Sequence, residues 1–133
     1  DIERADDASY SKVGTGMSVS SGVFSFPSTG IWRVSWYAAV ECSASTHQNV
    51  FTTEVTTNNG GAWDTTMRQR QGVYKMSSGN SFGSATSTCF VDVTDKDNVK
   101  VRFEYIAGQG SEKLMGSSNE NHTFFEFIRL ADT

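Results

Sequence analysis

From Gly22 onward the chain alternates short apolar and β-branched runs with clusters of Gly, Ser, Asn and Asp. The clearest run is Ile31 to Glu41. Trp32, Val34, Trp36, Ala38 and Val40 occupy its alternate positions, and Arg33, Ser35 and Tyr37 lie between them. That spacing of two predicts a strand laid with one face on a core. Ahead of it, Gly22 to Phe26 reads as a strand with Phe24 and Phe26 on one face, followed by a tight turn over Pro27-Ser28-Thr29-Gly30. Val50 to Thr57 is β-branched, and Asn58-Asn59-Gly60-Gly61 after it is hairpin-turn chemistry. Further strands are expected over Phe82 to Val93, Val99 to Tyr105 and His122 to Ala131, with one or two edge strands within Ala62 to Met76. Short strands are expected near Tyr10 to Val13 and Met17 to Val19. Cys42 to Asn49 and Ala107 to Asn121 read as loops. No dozen residues carry a helical period, and the only proline is Pro27. Eight to ten strands and no helix predict an all-β, antiparallel two-sheet sandwich or jelly roll. It is expected as a single domain over residues 9–133, with residues 1–8 a linker or loose end.

The last expected strand, Thr123-Phe124-Phe125-Glu126-Phe127-Ile128-Arg129-Leu130, breaks the one-sided rule. Phe125 and Phe127 share one face, while Phe124, Ile128 and Leu130 share the other. A strand greasy on both sides needs cover on both sides. Its own core supplies one cover, and neighbouring copies of the chain are expected to supply the other. The alternative is burial under the chain's own loops. Phe124, Phe125, Phe127, Ile128 and Leu130 are therefore the candidate assembly residues.

Composition narrows the class. Over 133 residues, nine Phe, four Tyr and three Trp suffice for a core. The net charge of −4 and the lack of a basic cluster argue against nucleic acid. No apolar stretch is long enough to span a bilayer as a helix. Cys42 and Cys89 allow at most one bridge, and both are expected as buried small apolar groups. No CxxC or Cys/His spacing points to zinc, and no cofactor or metal is expected.

At this point the residues resemble a family. Gly22-Val23-Phe24-Ser25-Phe26-Pro27-Ser28-Thr29-Gly30-Ile31-Trp32 is similar to the entry into the first long strand of the complement globular heads and their tumour necrosis factor-like relatives. The Ser/Thr-rich strand, the turn with Asp97-Asn98 before Val99-Lys100-Val101, and the closing Thr123-Phe124-Phe125 run to Leu130 agree in order. The resemblance implies a ten-stranded jelly roll that trimerises through its inner sheet and leaves its loops free for a partner. Lys96-Asp97 stands where the family has Gly-Asp, Phe124-Phe125-Glu126-Phe127 stands for its Phe-Ser-Gly-Phe ending, and no collagen-like segment precedes the domain. In this the chain resembles the stand-alone versions of bacterial and bacteriophage surfaces. A homotrimer at a virion surface is expected, as capsid decoration, knob or tail-fibre tip, in contact with a larger virion protein or a host-surface glycan or protein. A secreted or cell-surface trimeric ligand or lectin is the alternative.

Catalysis needs converging titratable groups, and His47 and His122 have no evident nucleophile beside them. No enzyme is expected. The acidic run Asp92 to Asp97 contains Lys96 and lacks the glycine and distal Glu of a calcium loop, so turn chemistry is expected there. Trp63 and Tyr74 follow glycine-rich turns. They either cap the core or anchor a partner. Arg68 and Arg70, two apart on one strand face, either pair with a neighbouring subunit or solvate an edge.

Overall fold

The computed structural model describes residues 14–117 and 119–133, with Thr46 and His47 described by their backbone alone. The expected linker over 1–8 and the short strand near Tyr10 to Val13 lie outside the described residues. Within them the chain forms nine strands and no helix. These are β1 (Ser18–Ser20), β2 (Val23–Ser25), β3 (Gly30–Cys42), β4 (Thr46–Thr56), β5 (Asp64–Val73), β6 (Ser81–Val93), β7 (Lys100–Ile106), β8 (Glu112–Leu114) and β9 (Phe124–Ala131). One antiparallel sheet runs β1-β2-β7-β4-β5. In the other, β6 pairs with one edge of β3, while β9 and β8 pair with successive halves of its opposite edge.

The period-two pattern of β3 does what it predicts. Trp32, Val34, Trp36, Ala38 and Val40 are all buried, and β3 pairs along its whole length with β6, from Gly30 with Val93 to Cys42 with Ser81. Two apolar clusters fill the space between the sheets. One gathers Phe24, Phe26, Trp32, Val34, Val91, Val99 and Val101, and the other gathers Trp36, Val40, Phe51, Val73 and Ala85. Phe103 and Phe125 touch both clusters, so they join them into one core. The rings meet at angles as well as in stacks. Phe24 and Phe103 pack edge-on at 5.6 Å, whereas Phe103 and Phe125 stack at 4.2 Å. Such pairs add to the stabilisation from area alone.

The turns follow local chemistry. Asn59 and Gly60 take φ of 57° and 91°, as the Asn-Gly turn after β4 requires. Asp95 closes the turn before β7, accepting from the Asp97 N–H at 2.9 Å and from Asn98 Nδ2 at 2.7 Å. Those two bonds hold its carboxyl below the usual carboxylate range. Gly30 has φ of 136°, and a Cβ there would lie 2.5 Å from the Ala131 carbonyl oxygen. This glycine is what lets β9 lie against the start of β3.

Three expectations need correction. Ala107 to Asn121 is not wholly loop, because β8 pairs with the end of β3. A three-residue Glu-Lys-Leu strand carries no alternation to read, and its pairing is set by β3 alone. Cys42 to Asn49 is likewise shorter as a loop, since β3 runs through Cys42 and β4 starts at Thr46. Both cysteines are free thiols, Cys42 buried but Cys89 only half-buried, its sulfur accepting from Thr66 Oγ1 at 3.8 Å.

Candidate functional site

The outward face of the β6-β3-β9 sheet can be built row by row from its register. Phe90 lies beside Arg33 and Arg33 beside Ile128. The next row is Thr88, Ser35 and Glu126, and the next is Thr86, Tyr37 and Phe124. At the far end Phe82, Glu41 and Lys113 line up. β9 is thus two-faced, as its sequence predicts. Phe125 and Phe127 point inward, with Phe24 at 5.3 and 5.1 Å from their ring centres. Phe124 points outward and stacks on Tyr37 at 4.4 Å.

This placement divides the expected assembly residues. Phe125 and Phe127 belong to the chain's own core, because β-strand alternation commits them to the sheet's inner side. Phe124 and Ile128 remain on the outside, while Leu130, at the register shift between Ile31 and Trp32, is exposed but has no cross-strand partner. The structure adds Phe90, which is 67% exposed, and Phe82, which is 64% exposed. Neither was legible as an outward residue, since β6 has no polar–apolar alternation strong enough to assign its faces. Water-facing Phe at two positions of one strand leaves a large apolar area uncovered.

Several polar groups at the centre of this face pair with one another. Arg33 donates to Glu126 across adjacent strands at 2.8 Å, with both side chains a little over one-third exposed. Ser35 and Thr88 share a hydrogen bond at 3.1 Å. Thr123 Oγ1 bonds the backbone of Ala39, accepting from its N–H at 3.1 Å and donating to its carbonyl at 3.3 Å. With the Arg33–Glu126 pair closed, the centre of this face can be covered without stranding a charge there.

The outward face of the other sheet is charged. Lys100, Arg102 and Glu104 of β7 flank Thr52, Glu54 and Thr56 of β4, and Arg68 and Arg70 of β5 lie beyond. Arg102 donates to Glu54 at 2.6 Å and lies 4.3 Å from the Trp63 ring centre. Trp63 is therefore half-buried beneath a guanidinium on the sheet's outside, rather than capping the core. Tyr74 is 84% exposed and does not cap the core either. Arg68 and Arg70 are both exposed on one face, and neither has an ion-pair partner among the described residues.

Buried polar chemistry gathers at the end of the core near β8. Tyr105 donates to Asn49 Oδ1 at 3.0 Å, and the Gly108 N–H bonds the same oxygen at 3.3 Å. Glu112 Oε2 accepts from the Gln109 N–H at 2.7 Å. Burial, with help from the Glu112 carboxylate, pushes the Tyr105 hydroxyl up to about 12. The same two causes raise the Cys42 thiol. A raised thiol stays protonated, the reverse of an activated nucleophile. Cys42, Asn49 and Glu112 are all closed off from solvent, so no substrate reaches them. His122 pairs with Glu120 at 3.0 Å, without a nucleophile in the pair. Among the described residues no group of three or more His, Cys, Asp or Glu is placed to hold a metal, and no helix is long and apolar enough to cross a membrane.

No protein-family model matches the chain, and no curated protein is detectably similar to it. Geometry offers an apolar face around a closed ion pair on one sheet and a charged face on the other.

Proposed function

We propose that this chain is a non-catalytic display domain, a jelly roll that associates as a homotrimer through the outer face of the β6-β3-β9 sheet. We place it at a virion surface, as capsid decoration, knob or tail-fibre tip, serving assembly or host attachment. The observation that carries the assembly reading is β9. Its inward phenylalanines complete the core, while Phe124 and Ile128 join Phe90 on an outward face whose central charges pair with each other. Further copies are the occupants that suit this face best, because its apolar residues can be buried against a neighbour's around a threefold axis while the Arg33–Glu126 pair stays closed within each chain. The strand orders β1-β2-β7-β4-β5 and β6-β3-β9 support the jelly-roll reading, in line with the resemblance of the Gly22 to Trp32 segment. A secreted or cell-surface lectin of the same assembly is the second reading, favoured by the exposed Tyr74.

Light scattering and sedimentation equilibrium at micromolar concentration test the assembly. Three times the 14.5 kDa chain mass is expected. The double variant Phe90→Asp with Ile128→Asp is expected to sediment as one chain with an unchanged circular dichroism spectrum, because both residues are outside the core. A wild-type particle of a single chain would sink the reading.

A further inference from the structure

The row of outward positions along β5 is unlike any other on the charged sheet. Arg68 and Arg70 stand two apart and exposed, and they pair in register with Thr52 and Val50 of β4. Gly72 follows in the same alternation and presents no side chain. Tyr74, one residue past the strand, extends the row and is 84% exposed. Among the described residues neither arginine has an ion-pair partner and Tyr74 has no ring partner. By contrast Arg102, on the same face, is held by both Glu54 and Trp63. A second feature lies beneath the row. Thr52 sits between Arg68 and Glu104 in register, is fully buried on the outward side of β4, and leaves its hydroxyl without a partner.

We propose that the Arg68–Arg70–Gly72–Tyr74 row is a binding track for an acidic polysaccharide. Each part has a role. A guanidinium matches a carboxylate or sulfate with two parallel N–H bonds. An exposed phenol ring stacks on the apolar face of a sugar. The side-chain gap at Gly72 leaves room for a ring between the cations and the aromatic. By strand rise the row runs about 20 Å, enough for a few sugars in line. Protection of an edge strand would need only charge of either sign. It does not account for a wet tyrosine at the end of the same row.

Charge density favours a polysaccharide over a nucleic acid. Across this face Lys100, Arg68, Arg70 and Arg102 outnumber Glu54 and Glu104, yet the whole chain carries −4. A polymer with a charge on every unit meets that net repulsion, and single-stranded nucleic acid further needs several stacking rings. A polymer with sparser carboxylates meets mainly the local cations. The track lies on the opposite side of the sandwich from the assembly face, so it does not rest on the trimer.

Calorimetric titration of the whole chain separates the outcomes. The probes are hyaluronate (a carboxylate on every second sugar), chondroitin sulfate (adding sulfate), neutral dextran and oligothymidylate. Hyaluronate is expected to bind, and more tightly than chondroitin sulfate, whose charge on every sugar meets the net repulsion. Arg68→Lys with Arg70→Lys, and separately Tyr74→Ala, should each weaken binding at least tenfold, with melting temperatures unchanged. Lys96→Gln, a cation outside the row, should have no effect. The Phe90→Asp, Ile128→Asp chain should retain the affinity per site, so loss of assembly and loss of the track read out separately. Four results overturn the proposal: no binding of hyaluronate at millimolar sugar, equal binding of dextran, tighter binding of chondroitin sulfate or oligothymidylate, or unchanged affinity in the row variants.

Discussion

At the scale of single residues, Gly30 and Tyr105 make the sharpest claims. Gly30 combines a φ closed to L side chains with a backbone oxygen 2.5 Å from where a Cβ would sit. Gly30→Ala should therefore cost roughly 2–3 kcal/mol in urea unfolding, the strain of the backbone plus the displaced end of β9. Gly110→Ala, with nothing within 4 Å and no positive φ, should stay within about 0.5 kcal/mol of wild type. Tyr105 carries a pH signature. Its folded hydroxyl is raised to about 12 while the unfolded one titrates near its ordinary value of 10.0. Between those values the unfolded chain has already lost the proton that the folded chain keeps. The Tyr105 contribution to stability is thus intact below pH 10 and falls as pH climbs toward 12, by on the order of 1 kcal/mol after solvent screening. Melting across pH 8 to 12 checks this. Tyr105→Phe should flatten the alkaline limb, at the expense of the bond to Asn49.

At the scale of elements, β9 is the strand to test, because its two faces carry different burdens. Phe125 stacks on Phe103 and lies 5.8 Å from Trp36, where it links both halves of the core. Phe125→Ala is expected to cost about 3 kcal/mol in the isolated chain. Phe124→Ala removes only the stack on Tyr37, so about 1 kcal/mol is expected under conditions where the chain is monomeric. Equal losses in chemical denaturation would mean that the strand does not divide its faces in this way. The same division explains why a charge at Phe127 and one at Ile128 should behave differently. Phe127→Asp strikes the core and folding, whereas Ile128→Asp strikes the outward face.

At the scale of the whole molecule, the sandwich separates two surfaces that would conflict if they were adjacent. One sheet shows Phe90, Phe124 and Ile128 around a closed ion pair, and the other shows Arg68 and Arg70 without ion-pair partners among the described residues. If the first is covered by copies, the second is presented outward once per copy. Weak single-site binding then adds up as effective concentration. This arrangement joins the display reading to the polysaccharide track, though each has its own experiment.

Much of this was legible in the chain itself. The alternation from Trp32 to Val40, the Asn-Gly turn and the doubly apolar β9 are local patterns, and a strand's period of two follows from the backbone alone. Which sheet a strand joins is decided by partners distant in sequence, so β8 and the faces of β6 were not legible. Burial was also beyond local pattern where long neighbours close over a short side chain, as at Thr52. Trp63 looked like either a core cap or an anchor, and only the arrival of Arg102 from β7 showed that it does not cap the core. Sequence fixes the faces of a strand; tertiary structure chooses what each face meets, because cross-strand neighbours come from anywhere in the chain.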